Sequence, residues 1–390
     1  MRKIEGGVCA ASGFFANGVS AGLKAKNAKD VAFIYSQALC DVSAVFTTNK
    51  MAAAPIAHAR NIYQSNFILM NAKNANAMTG KYGLEDIQSI LDAIRSKHTQ
   101  IINPMMSSTG VIGVRLPKEK IINAALDFDL TCKDGASASQ AIMTTDRFSK
   151  TIAYEFTCKD GKTFRMGAMA KGAGMINPAM ATMLCFITTD AKISREAMQP
   201  MLERANQTTF NAASVDGDTS TNDTVFVLAN GESGCVDLEL FEQGLEAIME
   251  FLAKEMVRDG EGATKLVTYE ITGAKDDIEA ECAAKTLSNS LLVKTALYGE
   301  DPNWGRIAAS VGASGVTCNE SDLSIAYDDV KLYEKGVNLF NDEVEVRASK
   351  VMKQERFTIY CDLGIGEGKF RAFGCDLGYD YVKINADYRT

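Results

Sequence analysis

The chain has 390 residues, 46% of them apolar, which is enough for substantial cores and excludes global disorder. Its 41 basic and 49 acidic residues leave a net charge of −8, which speaks against nucleic acid or an anionic membrane surface as a partner. A chain of this length fits two or three domains, or one large layered one, and a small-molecule enzyme is the expectation that remains.

In chain order, the opening MRKIEGG lacks the apolar segment of a signal peptide. No apolar run reaches the roughly 20 residues a membrane helix needs, so a cytoplasmic setting is expected. DVAFIYSQ and SAVFTTN read as strands, and NFILMNAKNANAMTG as a buried strand running into a small-residue loop. Leu84, Ile87, Leu91 and Ile94 fall on one helical face. NPMMSSTGVIG follows as a glycine turn, and TIAYEFTCKDGKTFRMGAMA as a hairpin tipped by Lys159, Asp160, Gly161 and Lys162. Ser194 is placed to cap a helix reaching about Asn206, ahead of the polar loop DGDTSTND and the strand TVFVLANG. The clearest helix covers 238–257, with Phe241, Leu245, Ile248 and Leu252 on its inner stripe and Glu250–Lys254 paired outside. Beyond about 276 a further helix alternates with strands, and DLG at 362 and again at 376 suggests a glycine-turned hairpin. The mixture predicts a layered α/β or α+β fold.

Ten dispersed cysteines without a CxxC pair argue against zinc ribbons and thioredoxin-like chemistry, and predict reduced core thiols in a reducing compartment. The two histidines, His58 and His98, have no serine or cysteine motif beside them, and neither GxSxG nor HExxH occurs. GAGMIN (172–177) lacks the third glycine of a dinucleotide fingerprint, and GIGEGKF (364–370) has the wrong length for a phosphate loop. Both read as loop glycines. The hydroxyl clusters SSTG (107–110) and TTD (144–146) read locally as turn and capping residues.

KGAGMINPAMATMLCFITTDA (171–191) differs, because a loose glycine loop runs directly into an apolar strand with Thr182 at the joint. A threonine hydroxyl is a weak nucleophile that needs a base. Cleavage of the Ala181–Thr182 bond would supply one, since the freed α-amine titrates near ~7.7–8. A plain loop-to-strand junction that begins on a β-branched residue fits the same pattern, and the residues alone leave both readings open.

The segment MAKGAGMINPAMATMLCFITTDA closely resembles the self-cleavage segment of the ornithine acetyltransferase (glutamate N-acetyltransferase, ArgJ) family. GFFANGVSAGLK, VFTTNKMAAAPI, SSTGVIG, AIMTTD, SVDGDTSTNDT, DGEGATK, GEDPNWGRI and INADYRT resemble further family segments in the same order, so the likeness covers nearly the whole chain. The resemblance implies an N-terminal-nucleophile-like, self-cleaving α/β layered fold of the ornithine acetyltransferase/DmpA type. It is expected as a main domain over 1–275 and a smaller C-terminal α/β domain over 276–390.

The resemblance also implies a reaction. An acetyl group would pass from N2-acetyl-L-ornithine to L-glutamate by a ping-pong cycle in arginine biosynthesis. Cleavage between Ala181 and Thr182 would give an α chain (1–181) and a β chain (182–390), with Thr182 as nucleophile and, through its α-amine, base. Thr109 and Gly110 would form the oxyanion hole. Thr144 (or its neighbour Thr145), Lys171, Thr182, Glu261, Asn385 and Thr390 would bind substrate. No metal or cofactor is implied. Acetyl-CoA is a second acetyl donor for some members, and no motif here separates the two kinds. The implied assembly is a heterotetramer of two α and two β chains. The loop 216–223 and GEDPNW (299–304) are left between a structural role and one of supporting the residues that touch substrate. The alternatives are a self-processing amidase or aminopeptidase that passes the acyl group to water, and a non-enzymatic binding role.

Overall fold

The computed structural model describes residues 1–177 and 183–387. Its strands in chain order are Arg2–Lys3 (β1), Phe14–Val19 (β2), Val31–Phe46 (β3), Gln64–Asn71 (β4), Met105–Ser108 (β5), Lys150–Thr157 (β6), Thr163–Lys171 (β7), Leu184–Thr189 (β8), Ala213–Ser214 (β9) and Thr224–Ala229 (β10). They continue with Leu266–Ala274 (β11), Ser324–Tyr327 (β12), Val330–Glu334 (β13), Val337–Asn338 (β14), Arg356–Asp362 (β15) and Gly368–Cys375 (β16).

Two mixed sheets result. The first runs β1-β6-β7-β8-β10-β3-β4-β5, with β2 also paired to β3. The second runs β14-β13-β12-β15-β11-β16-β9. Strand β8, which begins two residues after Thr182, is paired antiparallel to β7 and parallel to β10. All six of its residues are buried, as its unbroken apolar and threonine run predicts for a central strand.

The helix Leu238–Arg258 lies between the two sheets. Phe241, Leu245, Ile248 and Leu252 share one core with Phe156, Phe164 and Met166 of the first sheet and with Leu266, Phe373 and Cys375 of the second. Its Asp237 side chain accepts the Leu240 backbone N–H and so caps the first turn. A mutation here should be felt by both sheets. Leu245→Ala is expected to cost about 2–5 kcal/mol, read as a lowered midpoint in chemical denaturation. The other faces are closed by the helix Lys81–Lys97 against β3 and β4 and by Asp277–Asn289 against β11 and β16. The helix after Ser194 runs Arg195–Thr208, but the Ser194 side chain makes no capping hydrogen bond. All ten cysteines are free thiols, six of them buried.

Three features differ from the sequence reading. The two strands expected near residues 31 and 43 are one 16-residue strand, β3. The polar break at Ser36–Gln37 is absorbed as an irregularity in its pairing with β4 instead of forming a turn. Strands β15 and β16 are not a hairpin. The loop carrying the first DLG crosses β11, which lies between them, parallel to β15 and antiparallel to β16. The last of the described residues also form no strand. After the second DLG the chain forms the helix Tyr379–Asp387, none of whose residues is buried. A helix held by polar contacts carries no apolar stripe, so nothing in the periodicity announces it.

Candidate active site

Three connections and one helix converge where β7 ends. Thr109 and Gly110 follow β5, Thr144–Asp146 precede β6, Lys171 is the last residue of β7, and Glu261 lies in the turn after Leu238–Arg258. Asn385 comes from the C-terminal helix. All six residues expected to act together and described here line one cavity of ≈ 160 Å³, along with Thr145, Gly174, Met175, Asp216, Asp218 and Tyr381. A larger cavity, of ≈ 840 Å³, lies among Cys282, Lys285, Arg306 and their neighbours and holds none of these residues.

One end of the cavity is cationic. Lys171 is buried, and its Nζ donates to Thr144 Oγ1 at 2.9 Å and to Thr109 Oγ1 at 3.4 Å. Burial pushes its pKa below the usual lysine value, with Asp146 pulling the other way. An ammonium flanked by hydroxyls has the chemistry to receive a carboxylate.

The other end is anionic. Glu261 accepts from Asn385 Nδ2 at 2.7 Å, and its backbone N–H donates to Ala173 O. Gly174 makes room for it, because a Cβ there would sit 2.7 Å from the Glu261 carboxyl carbon. Asp216 lies deeper, and burial raises its pKa. Tyr381 donates to Asp216 Oδ2 at 3.3 Å. A small zwitterion matches this polarity, with its carboxylate towards Lys171 and its amine towards Glu261.

Gly110 lies between these ends with φ of 134°, a region L-residues avoid. A Cβ on it would fall 2.2 Å from the carbonyl carbon of Lys73 and 2.5 Å from Asn74 N. The two stretches of backbone therefore approach here as only glycine allows.

Ala181, Thr182 and Thr390 lie outside the described residues. What flanks 178–182 is well tied. The Met183 N–H donates to Asp223 Oδ1 at 3.0 Å. Asp223 is fully buried, and desolvation holds its pKa well above the usual range. On the other side, Asp216 accepts the backbone N–H of Met175 at 2.7 Å and of Ile176 at 2.9 Å, and Asn177 Nδ2 donates to Thr219 Oγ1 at 3.2 Å. The loop 216–223 thus grips the chain on both sides of the expected cleavage point. Its polar density was visible in the sequence, but its partners were not. The same contacts account for GAGMIN, whose amides at 175 and 176 are occupied by Asp216. In GIGEGKF, the Lys369 N–H is taken by Asp277.

Asp146 and Tyr381 are the residues that sequence reasoning missed, and Asp216 stood out only as part of the loop 216–223. Asp146 was quoted only as the end of a turn-like triplet. No histidine lines the cavity. Among the described residues no group of three or more His, Cys, Asp or Glu is arranged to hold a metal, and no helix is long and apolar enough to cross a membrane.

Residues 15–390 match the ArgJ family. The chain belongs to that family. It is 56% identical over 390 residues to the arginine biosynthesis bifunctional protein ArgJ of Wolinella succinogenes, covering 99% of this chain and 98% of that one. With the ArgJ protein of Synechocystis it shares 43% identity over 408 residues, covering 99% and 98%. A crystal structure of an ArgJ protein from Bacillus halodurans aligns with a TM-score of 0.49 at 42% identity, covering 52% of this chain and 97% of that chain.

Proposed function

We propose that this ArgJ-family acyltransferase of arginine biosynthesis moves an acetyl group from N2-acetyl-L-ornithine to L-glutamate through an acetyl-Thr182 intermediate. The observation that carries the proposal is the convergence of Thr109, Gly110, Thr144, Lys171, Glu261 and Asn385 on one cavity with a cationic and an anionic end. The precursor cuts itself between Ala181 and Thr182, and the freed α-amine serves the neighbouring hydroxyl as base. That hydroxyl attacks the acetyl carbonyl, and the Thr109 hydroxyl and Gly110 N–H stabilise the resulting oxyanion. Ornithine leaves, and the glutamate amine then attacks the acetyl ester. Lys171 and Thr144 hold the carboxylate of each substrate in turn, while Glu261, Asn385 and the terminal Thr390 complete the amine side. The two chains, 181 and 209 residues long (390 minus 181), stay associated, and two such pairs form a cytoplasmic heterotetramer. Acetyl-CoA serves as a second acetyl donor. No resident cofactor takes part.

Intact-mass spectrometry before and after exposure to N-acetylornithine tests the reading. The expected result is two polypeptides, the 182–390 chain gaining the mass of one acetyl group. A single 390-residue species that transfers acetyl normally would refute it. Transfer should exceed hydrolysis when glutamate is present, whereas an amidase would release acetate at the same rate with or without it. Lys171→Gln and Glu261→Gln each remove a charge-assisted contact of about 1.5–3 kcal/mol. Each should therefore lower kcat/KM for N-acetylornithine by about 10- to 100-fold in steady-state assays.

A further inference from the structure

Behind Lys171, at the cationic end of the cavity, three further buried charges continue in a row that the reaction just described does not use. Asp146 is at its centre. Its Oδ1 accepts the Gly172 N–H at 2.7 Å and Lys150 Nζ at 2.7 Å. Its Oδ2 accepts the Thr144 N–H at 3.0 Å and faces Lys171 Nζ at 4.0 Å. Lys150 Nζ also donates to Asp259 Oδ2 at 2.6 Å. Asp259 in turn accepts the backbone N–H of Arg147 at 3.1 Å and its Nε at 3.0 Å. The side chains of Asp146, Lys150 and Asp259 are wholly inaccessible, and that of Lys171 nearly so. The signs alternate from Lys171 through Asp146 and Lys150 to Asp259, and the four charges sum to zero. Asp259 sits two residues before Glu261 in the chain.

Buried ion pairs contribute little net stability, because desolvating the charges offsets their attraction. Each member of the row is held by partners on both sides, which restricts where it can sit. We propose that Asp146 is a positioning residue of this site: braced by Lys150 and Asp259, it fixes the Thr144 backbone, the Gly172 backbone and the Lys171 ammonium in the arrangement that receives the substrate carboxylate. The inference rests on the proposed acetyl transfer and concerns how its binding end is held. Asp146 itself touches no reacting atom.

A merely structural role would predict lost stability and nothing more, whereas the positioning role also predicts the sign of a pH effect. Lys171 is faced by Asp146 and Lys150, by Glu261 across the cavity, by Asp223 from the loop before β10, and by Lys24 from the β2–β3 connection, itself beside Lys73. Asp216, Asp218 and Tyr381 line the far wall. Asp146 favours the charged lysine and Lys150 disfavours it. Asp146→Asn keeps the shape and removes the charge, so the alkaline limb of kcat/KM should move to lower pH. Lys150→Met should move it to higher pH. Lys24 is a second candidate for that limb, because burial pulls its pKa down to about 8, so both variants are also made in a Lys24→Gln background.

The experiment is the pH profile of acetyl transfer from N-acetylornithine to glutamate, with rates normalised to the cleaved fraction on a denaturing gel. Asp146→Asn is expected to lose about 10²-fold in kcat/KM, the scale of a misplaced binding group, and the two limbs should shift in opposite directions with or without Lys24. An unmoved limb in folded, cleaved Asp146→Asn, two shifts of the same sign, or shifts that vanish in the Lys24→Gln background would overturn the proposal. If Asp146→Asn fails to fold, the direction of the Lys150→Met shift decides it alone. Wild-type enzyme without acetyl transfer would instead overturn the functional reading, a result distinct from any of these.

Discussion

Replacing Thr182 by alanine should leave a single 390-residue polypeptide on a denaturing gel and no measurable acetyl transfer. Two losses combine in that one change. Without the side-chain hydroxyl nothing attacks the Ala181 carbonyl, so the chain is not cut and the α-amine never forms. Without the same hydroxyl nothing accepts the acetyl group. Losing a covalent nucleophile typically costs on the order of 10⁶ in kcat, which here means activity at background. Thr182→Ser keeps the hydroxyl and should restore both cleavage and transfer at reduced rates, which separates the chemistry from misfolding. The flanking structure supports a folded alanine variant. Strand β8 is held by β7 and β10, and the Met183 and Ile176 amides are held by Asp223 and Asp216. None of these contacts uses the Thr182 side chain. Normal cleavage in the alanine variant would disprove the assignment of the nucleophile.

The second large effect is expected at Gly110. A methyl group there would meet the main chain of Lys73 and Asn74 at 2.2 and 2.5 Å. These are backbone atoms, so no side chain can swing aside to relieve the contact. The position also has φ of 134°, and holding an alanine there costs of order 1–3 kcal/mol. The 109–110 backbone must therefore move, taking both proposed oxyanion donors with it. Removing one such donor costs about 10²–10³ in kcat, and Gly110→Ala should fall in that range. The loss should appear in kcat more than in KM, because the oxyanion forms only in the transition state whereas Lys171 and Glu261 still bind the ground state. A variant with wild-type kcat would show that Gly110 serves the fold alone.

The parts of this protein that were legible in its sequence are those decided by near neighbours. The stripe Phe241, Leu245, Ile248 and Leu252 specifies its helix through a 3.6-residue period. The hairpin β6–β7 follows from alternating strands around a tight Lys-Asp-Gly-Lys tip. Thr182 stood out because a glycine loop met an apolar strand at a hydroxyl, and the family resemblance gave that hydroxyl its role. Resemblance also named Lys171, Glu261 and Asn385, but it could not show them sharing a cavity.

What the tertiary structure decided are the pairings between distant segments, which no local period encodes. Strand β11 inserts between β15 and β16, because its place depends on which distant strands pair with its two edges. The C-terminal helix buries no residue, and its cavity-side contacts are Tyr381 to Asp216 and Asn385 to Glu261. Such polar links have no spacing to read. Asp146 looked like the end of a turn until folding placed it against Lys150, Gly172 and Lys171. Composition and periodicity determine which segments become buried elements. Only three-dimensional packing decides which charges are buried together, because the cost of desolvating each one depends on the partner it finds.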